Sequence, residues 1–385
     1  MKAKKLIALL IFALMACVSL IGCEDEIGKY YYEVYEPGKI GVVAEKPSVE
    51  LDFYIISEYP EGYGSVEEVT KAYDSTLATV KYNINLHLEE VYKTTLDIHF
   101  ISEDEYAEKI SSITAVGSKE NKGIVLINSA TMMDSLVAGD SLVDLTDYLS
   151  NPKYKFGTLN VQISQGLLAL AMTELDNANR LYCIPNNHVI DMDAYDYIAI
   201  NKDVALDLHF SLNQMKQMNS VDNEMLQQLV ATATAAGIND TSSVYRVFYN
   251  EPYNYSNSDL KGEWVYNVMG VPTVTKEEAY STAYGILSGT EDYDRAMEII
   301  YALNTDIAFR NLLQYGVLNN HYEYITPEDG KIDEDAVYVA LKSGSLYKMN
   351  IEYTGDVFKA YYTSEWTEKD AANGKQQNYD AVYHN

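Results

Sequence analysis

Residues 291–324 read EDYDRAMEIIYALNTDIAFRNLLQYGVLNNHYEY, which is the most specific pattern in the chain. Residues spaced three and four apart predict one amphipathic helix. They are Tyr293, Ala296, Met297, Ile300, Tyr301 and Asn304. Thr305 or Asp306 can cap a second, shorter helix, and Gly316 can adopt the left-handed conformation that ends it. The stretch therefore predicts a pair of helices followed by His321 and Tyr322.

The order LNTD, RNLL, YG and HY within this stretch resembles a segment of one branch of the bacterial extracellular solute-binding proteins. These are lipoproteins that serve ABC importers, and the segment lies late in their chains near the hinge. Val317 and Leu318 depart from it, because that branch commonly has Ile-Glu there. The resemblance implies an α/β chain with a two-lobe, periplasmic-binding-protein-like (type II) fold and hinge crossovers.

The chain has 385 residues and 47% apolar composition, enough for two ordinary domains with their own cores. Three successive strands are predicted at 49–57, 95–101 and 123–128. A helix with a Ser65–Glu68 capping box and a helix at 103–113 separate them. This alternation predicts a mainly parallel sheet. Ligands of such sheets bind at the carboxyl ends of the strands, so the loops that start at Tyr59 and Asn128 are candidate binding loops.

Several later segments also resemble the solute-binding proteins. Residues 142–149 resemble their "L.DLT..L" segment, and 181–187 the "LY.IP" strand that leaves the first lobe. Residues 197–203 would enter the second lobe, and 264–274 would cross back to the first. Residues 353–358 and 377–378 resemble segments near the end of the family's chains, with Asp356 in place of the usual Asn. We therefore expect residues 47–187 and 270–319 in the N-terminal lobe, and 188–269 and 320–385 in the C-terminal lobe.

The first 22 residues are typical of a signal peptide, with Lys2, Lys4 and Lys5 before a short apolar run. Residues 20–23, LIGC, resemble a bacterial lipobox, which predicts that Cys23 becomes the lipidated first residue. The alternative is a plain secretion signal with a chance cysteine. Residues 23–46 would form a tether, unless their tyrosines pack on the body. The expected location is the outer face of the cytoplasmic membrane.

The formal charge is −29, and removal of the leader, with three lysines and no acid, makes it −32. An acidic surface repels polyanions, which argues against nucleic acid as a partner. It favours either a solvated surface or a cationic ligand such as a polyamine. Without Cys17 and with Cys23 acylated, only Cys183 remains free, so neither an intrachain disulfide nor a cysteine-rich metal site is expected.

A sugar needs aromatic rings for its apolar face and amides or carboxylates for its hydroxyls. Position in the predicted fold singles out a set of candidate contacts, although a packing role is at least as strong an interpretation for each. The candidates are Tyr59, Tyr63, Asn128, Ser129, Asn186, Asn187, Trp264 and Trp366. His321 and Tyr322 match the family segment, and hinge packing is the alternative for both.

Chemistry other than binding has little support in the sequence. Asp191, Asp193 and Asp196 lack the glycine turn of a calcium loop, the ligand positions around Gly330 are wrong for an EF-hand, and the histidines lack zinc spacing. We expect no metal, no cofactor and no catalytic residue.

The predicted function is that of a monomeric lipoprotein that delivers an oligosaccharide to an ABC permease. A surface-anchored carbohydrate-active enzyme and a binding partner of a sensor remain the alternatives.

Overall fold

A computed structural model describes residues 47–58, 66–175, 178–191, 194–253, 263–326 and 336–383. The predicted signal peptide, Cys23, the tether, Tyr59 and Tyr63 lie outside these ranges. Within the described residues, none of the helices is both long and apolar enough to cross a membrane.

The first three strands alternate with helices, and the later elements follow a less regular order. The strands are β1 (Val49–Ile56), β2 (Thr94–Ile101), β3 (Ile124–Ile127), β4 (Met172–Leu175), β5 (Ala178–Leu181), β6 (Cys183–Pro185), β7 (Tyr195–Asn201), β8 (Tyr245–Glu251), β9 (Trp264–Gly270), β10 (Thr273–Val274), β11 (Ala283–Ile286), β12 (Tyr322–Tyr324), β13 (Val339–Leu341) and β14 (Val382–Tyr383). The α-helices are α1 (Val66–Tyr92), α2 (Glu103–Ile113), α3 (Ala130–Ala138), α4 (Thr146–Ser150), α5 (Leu159–Gln162), α6 (Gln165–Ala171), α7 (Lys202–Asp207), α8 (Leu212–Met215), α9 (Glu224–Ala235), α10 (Lys276–Tyr280), α11 (Tyr293–Thr305), α12 (Ile307–Tyr315) and α13 (Glu368–Asp380).

The larger sheet has five strands in the order β2-β1-β3-β11-β6. β1 is parallel to β2 and β3, while β11 is antiparallel to β3 and β6. Four of the five strands therefore run the same way, which confirms the expected mainly parallel sheet. Strand β3 is buried at every position, as expected for a strand covered on both faces.

The helix pair predicted from residues 291–324 is present as α11 and α12. Ala296, Met297 and Ile300 of the predicted apolar face are fully buried on α11, whereas Tyr293 at the start of the helix is exposed. Asp306, rather than Thr305, caps α12, and Gly316 ends it with a φ of +74°. Both helices bury apolar side chains in the same core as the larger sheet.

The smaller sheet has three antiparallel strands in the order β8-β7-β9. Ile198, Ile200 and Val265 from this sheet pack with Leu226 and Leu229 of α9 in a second hydrophobic core. The chain passes from the larger sheet to the smaller one after β6 and returns between β9 and β11. Two sheets with separate cores, joined by these connections, give the expected two-lobe arrangement.

Residues 163–175 are apolar on one face, a pattern that favours a single helix, but they do not form one. Helix α6 ends at Ala171, and Met172–Leu175 instead pairs in antiparallel register with Ala178–Leu181. An apolar run of this length has no decisive period, so hydrogen bonding to a partner strand decided the conformation.

Residues 345–356 lie against the core of the larger sheet. Tyr347 and Met349 are buried in that core, and Gln314 of α12 donates a hydrogen bond to the Met349 carbonyl at 2.8 Å. Arg310 donates to the Ile351 carbonyl at 3.0 Å. Residues 345–356 belong to the range 320–385, which we expected in the C-terminal lobe. The exact lobe boundaries stay a prediction.

Candidate ligand site at the carboxyl edge of the larger sheet

The strands that run the same way end at one edge of the larger sheet. The chain continues from β1 into Ser57 and Glu58, from β2 into Ser102, and from β6 into Asn186. Residues 350–356 pass along this edge, because Tyr284 donates to the Tyr353 carbonyl at 2.6 Å and Asn186 donates to the Glu352 carbonyl at 2.7 Å. The edge is thus framed by strand ends and by this later segment.

A cavity of about 1130 Å³ lies at the ends of β1 and β2. Its walls come from these strand ends, from the third and fourth turns of α1, from the first turn of α2, and from the later segment. The lining residues are Ile56, Ser57, Glu58, Tyr73, Asp74, Leu77, Phe100, Ser102, Glu103, Asp104, Glu105, Ser345, Leu346, Lys348, Asn350 and Tyr353.

Three aromatic side chains contribute apolar surface to this cavity. The Tyr73 hydroxyl donates to Ser57 Oγ at 3.0 Å, and the Phe100 ring lies edge-on to Tyr347, with centroids 6.1 Å apart. Burial, followed by the charges of Glu103, Glu352 and Glu58, raises the pKa of Tyr353. The phenol therefore stays protonated at neutral pH and can donate a hydrogen bond.

Carboxylates dominate the polar part of the lining, with five acids and one lysine. Lys348 Nζ lies 2.6 Å from Glu58 Oε2, and the hydrogen bond to this carboxylate raises the pKa of Lys348. Glu103, Asp104 and Glu105 lie in the first turn of α2, where the helix dipole also favours them. The cavity offers many hydrogen-bond acceptors beside aromatic rings.

The predicted contacts Asn128 and Ser129 follow β3 at the same edge. Ser129 Oγ accepts a hydrogen bond from the Met132 N–H at 3.2 Å, so this side chain caps α3. Asn128 is half-buried. Neither lines the cavity of 1130 Å³.

The predicted contacts Asn186 and Asn187 are buried where the chain leaves β6. Asn187 Nδ2 donates to Asp356 Oδ1 at 3.2 Å, and the Asn187 N–H donates to Asn304 Oδ1 at 3.2 Å. Asn187 therefore ties this connection to α11 and to the later segment. Asn186 Nδ2 is bonded to Glu352, whereas its Oδ1 is buried and has no hydrogen-bond partner among the described residues.

The predicted contacts His321 and Tyr322 serve packing in this structure. His321 Nδ1 accepts a hydrogen bond from the Val317 N–H at 2.8 Å and closes the turn after α12. Tyr322 begins β12 and packs in a small cluster with Tyr315 and Val339.

The two tryptophans lie apart from the cavity. Trp264 begins β9, six residues from Gly270 and so about 20 Å along the strand from the return connection. The Arg246 guanidinium stacks 4.4 Å above its ring. Trp366 lies 6.2 Å from Phe358, centroid to centroid, beside α13. Phe358 lines a second cavity of about 720 Å³, which the predicted contact Asn187 also lines.

The sequence prediction missed Tyr73, Phe100, Glu103 and Tyr353. The carboxyl end of β2 was a usable signal, because Phe100 and Glu103 flank it just as Tyr59 follows β1. Tyr73 and Tyr353 reach the cavity only through the packing of α1 and the later segment.

No protein-family model and no curated protein matches the sequence. Among solved structures, the chain is similar to the N-glycan transport solute binding protein (NgtS) from Streptococcus pneumoniae. With Man1GlcNAc bound, that protein has a TM-score of 0.52 and 15% identity, covering 87% of this chain and 84% of that one. With Man5GlcNAc bound, the TM-score is 0.51 and the identity 16%, covering 87% and 83%. The chain has the two-lobe α/β fold of extracellular solute-binding proteins.

Proposed function

We propose that this chain is a surface lipoprotein, anchored through Cys23, that captures an oligosaccharide and delivers it to an ABC permease. The observation that carries the proposal is the cavity at the carboxyl edge of the larger sheet, where aromatic rings and carboxylates meet in a solute-binding fold. Rings can cover the apolar face of a sugar while acceptor oxygens bind its hydroxyls.

Capture would involve closure of the two lobes about the segments that join them. The two sheets have separate cores, so each lobe can move as a unit while the connections bend. Closure would remove the bound sugar from water and create the surface that a permease recognises.

A thermal-shift screen of the purified protein against neutral oligosaccharides tests the proposal. We expect a ligand to raise the unfolding temperature and to reduce the radius of gyration in small-angle scattering. A broad panel that changes neither quantity would contradict solute capture. Release of cleaved product from the hit would instead support the enzyme alternative.

Variants then test whether the described cavity binds the hit. Phe100→Ala and Tyr353→Ala are each expected to weaken binding by about tenfold or more, because each removes a ring that would contact the sugar. Tyr82→Ala is the matched control, since Tyr82 is on α1 and its side chain is largely exposed. Equal affinity in all three variants would place the ligand elsewhere.

A further inference from the structure

Two adjacent strands of the larger sheet bring two aspartates and a histidine together. Asp52 on β1 lies opposite Asp97 on β2, and Tyr54 lies opposite His99 in the same parallel register. Side chains two residues apart on a strand share a face. Asp52, Asp97 and His99 therefore form one cluster on one face of the sheet.

The distances within this cluster suit a metal ion. His99 Nε2 lies 3.1 Å from Asp52 Oδ1 and 3.6 Å from Asp97 Oδ2, and one ligand atom from each residue fits within 4.8 Å of the others. Ligand atoms about 2.1 Å from a tetrahedral ion lie roughly 3.4 Å apart. Little movement is needed for all three atoms to reach one ion.

The neighbours of the cluster hold its ligands in place. The His99 ring stacks on Tyr54 with centroids 4.5 Å apart and planes 10° apart, which fixes the direction of Nε2. Lys122 Nζ lies 3.2 Å from Asp52 Oδ2, the oxygen that does not face His99. Lys122 therefore orients the carboxylate and leaves Oδ1 on the side of the histidine.

The local field also favours a cation. Two carboxylates, those of Asp52 and Asp97, lie beside the imidazole, and one lysine, Lys122, is paired with Asp52. Lys122 offsets only part of this negative charge.

We propose that Asp52, Asp97 and His99 form a binding site for a divalent transition-metal ion such as Zn²⁺. One imidazole nitrogen and two carboxylate oxygens suit zinc, whereas calcium takes six to eight oxygen ligands. None of the three residues lines the ligand cavity, and His99 lies on the opposite face of the sheet from its neighbour Phe100, so the site is separate from that cavity. A bound ion would fasten the edge strand β2 to β1.

Isothermal titration of the full chain with ZnCl₂ tests the site directly. The expected result is saturable binding of one Zn²⁺ per chain, with a higher unfolding temperature in ZnCl₂, and no comparable effect from CaCl₂ or MgCl₂. Absence of saturable Zn²⁺ binding at millimolar concentration would overturn the proposal.

Substitutions locate the ion. His99→Gln and Asp97→Asn are each expected to weaken Zn²⁺ binding at least about tenfold. His209→Asn is the control, because His209 is exposed, and its φ of +67° is one that Asn tolerates. Unchanged affinity in the His99→Gln/Asp97→Asn double variant would place the ion elsewhere on the acidic surface and overturn the proposal. If His99→Gln unfolds, Asp97→Asn decides alone, because the Asp97 side chain is 53% exposed and its loss disturbs little packing.

Discussion

Arg295 is a buried charge, only 2% exposed, within a helix that the sequence predicted from its apolar residues. Its guanidinium donates to the carbonyls of Tyr92 and Lys93 and to Thr94 Oγ1, at 2.5–3.0 Å. Lys93 has a φ of +52° at the turn between α1 and β2. Arg295 therefore holds that turn against α11 by satisfying buried acceptors, a role that apolar periodicity cannot reveal.

Arg295→Met should lower the free energy of unfolding by about 3–5 kcal/mol, because buried acceptors and the buried Glu298 carboxylate lose a partner. Urea unfolding monitored by circular dichroism measures the change. Arg180→Met is the control, since Arg180 is 39% exposed and lies 3.5 Å from Asp144, and it should cost less than about 1 kcal/mol. Similar losses in both variants would contradict the role of burial.

Glu352 should make stability fall as the pH rises. Burial, with a smaller contribution from Asp191, raises its pKa from 4.5 to about 7. Between these values the folded protein binds more protons than the unfolded chain, so the folded state loses stability as the pH rises, by roughly 3 kcal/mol at most. Above about pH 7 both states are ionised and the loss is complete.

Glu352→Gln removes this titration, and it should therefore stabilise the protein at pH 8 relative to wild type but not at pH 4. Urea unfolding of both proteins at the two pH values checks the sign. A difference between the proteins that is the same at pH 4 and pH 8 would show that Glu352 titrates normally.

At the scale of elements, Asp306 joins α11, α12 and α1. Its Oδ1 accepts hydrogen bonds from the N–H groups of Ala308 and Phe309, and its Oδ2 accepts from His87 and Tyr92 at 2.8 and 2.9 Å. Burial raises its pKa, but the hydrogen bond and charge of His87, together with the hydrogen bonds from the Phe309 N–H and Tyr92, outweigh burial and lower it. One side chain thus caps α12 and attaches it to the end of α1.

Asp306→Ala should destabilise the protein by about 2–3 kcal/mol at neutral pH, since both the cap and the contacts with α1 are lost. Asp306→Asn keeps an oxygen for the cap and should cost less. Because the folded-state pKa is lowered, the contribution of Asp306 is present above the ordinary aspartate pKa of about 4 and is lost as the pH falls through the lower folded value. Thermal unfolding at pH 7 and pH 3 checks this: the difference in unfolding temperature between wild type and Asp306→Ala should be smaller at pH 3.

At the scale of the whole molecule, the charge of −29 and the five carboxylates of the cavity act on any solute that approaches. Repulsion at this range is screened by salt, with a Debye length of about 10 Å at 0.1 M. For a sugar found in the screen, an analogue that carries a carboxylate should bind more weakly than the neutral form. This difference in affinity should become smaller in 0.5 M NaCl. Titration calorimetry at two salt concentrations measures it, and tighter binding of the acidic analogue would contradict this electrostatic prediction.

Much of the fold follows from local sequence. The helix pair α11 and α12, the glycine at its end, the first three strands and the connection after β6 were all predicted, because spacing, caps and turns act between residues a few positions apart. The site was less predictable. None of Asn187, His321, Tyr322 and Trp264 lines the cavity at the carboxyl edge, although Asn187 lines the second cavity.

The sequence by itself determined the α/β alternation, the helix pair and the acidic character of this protein, since each depends on composition or on neighbours along the chain. Only the tertiary structure decided which side chains line the cavity and that Asp52 meets Asp97 and His99. Those residues are up to about 300 positions apart, and strand register and the packing of residues 345–356 bring them together. Such contacts depend on the free energy of packing the whole core, which cannot be read from a short stretch of sequence.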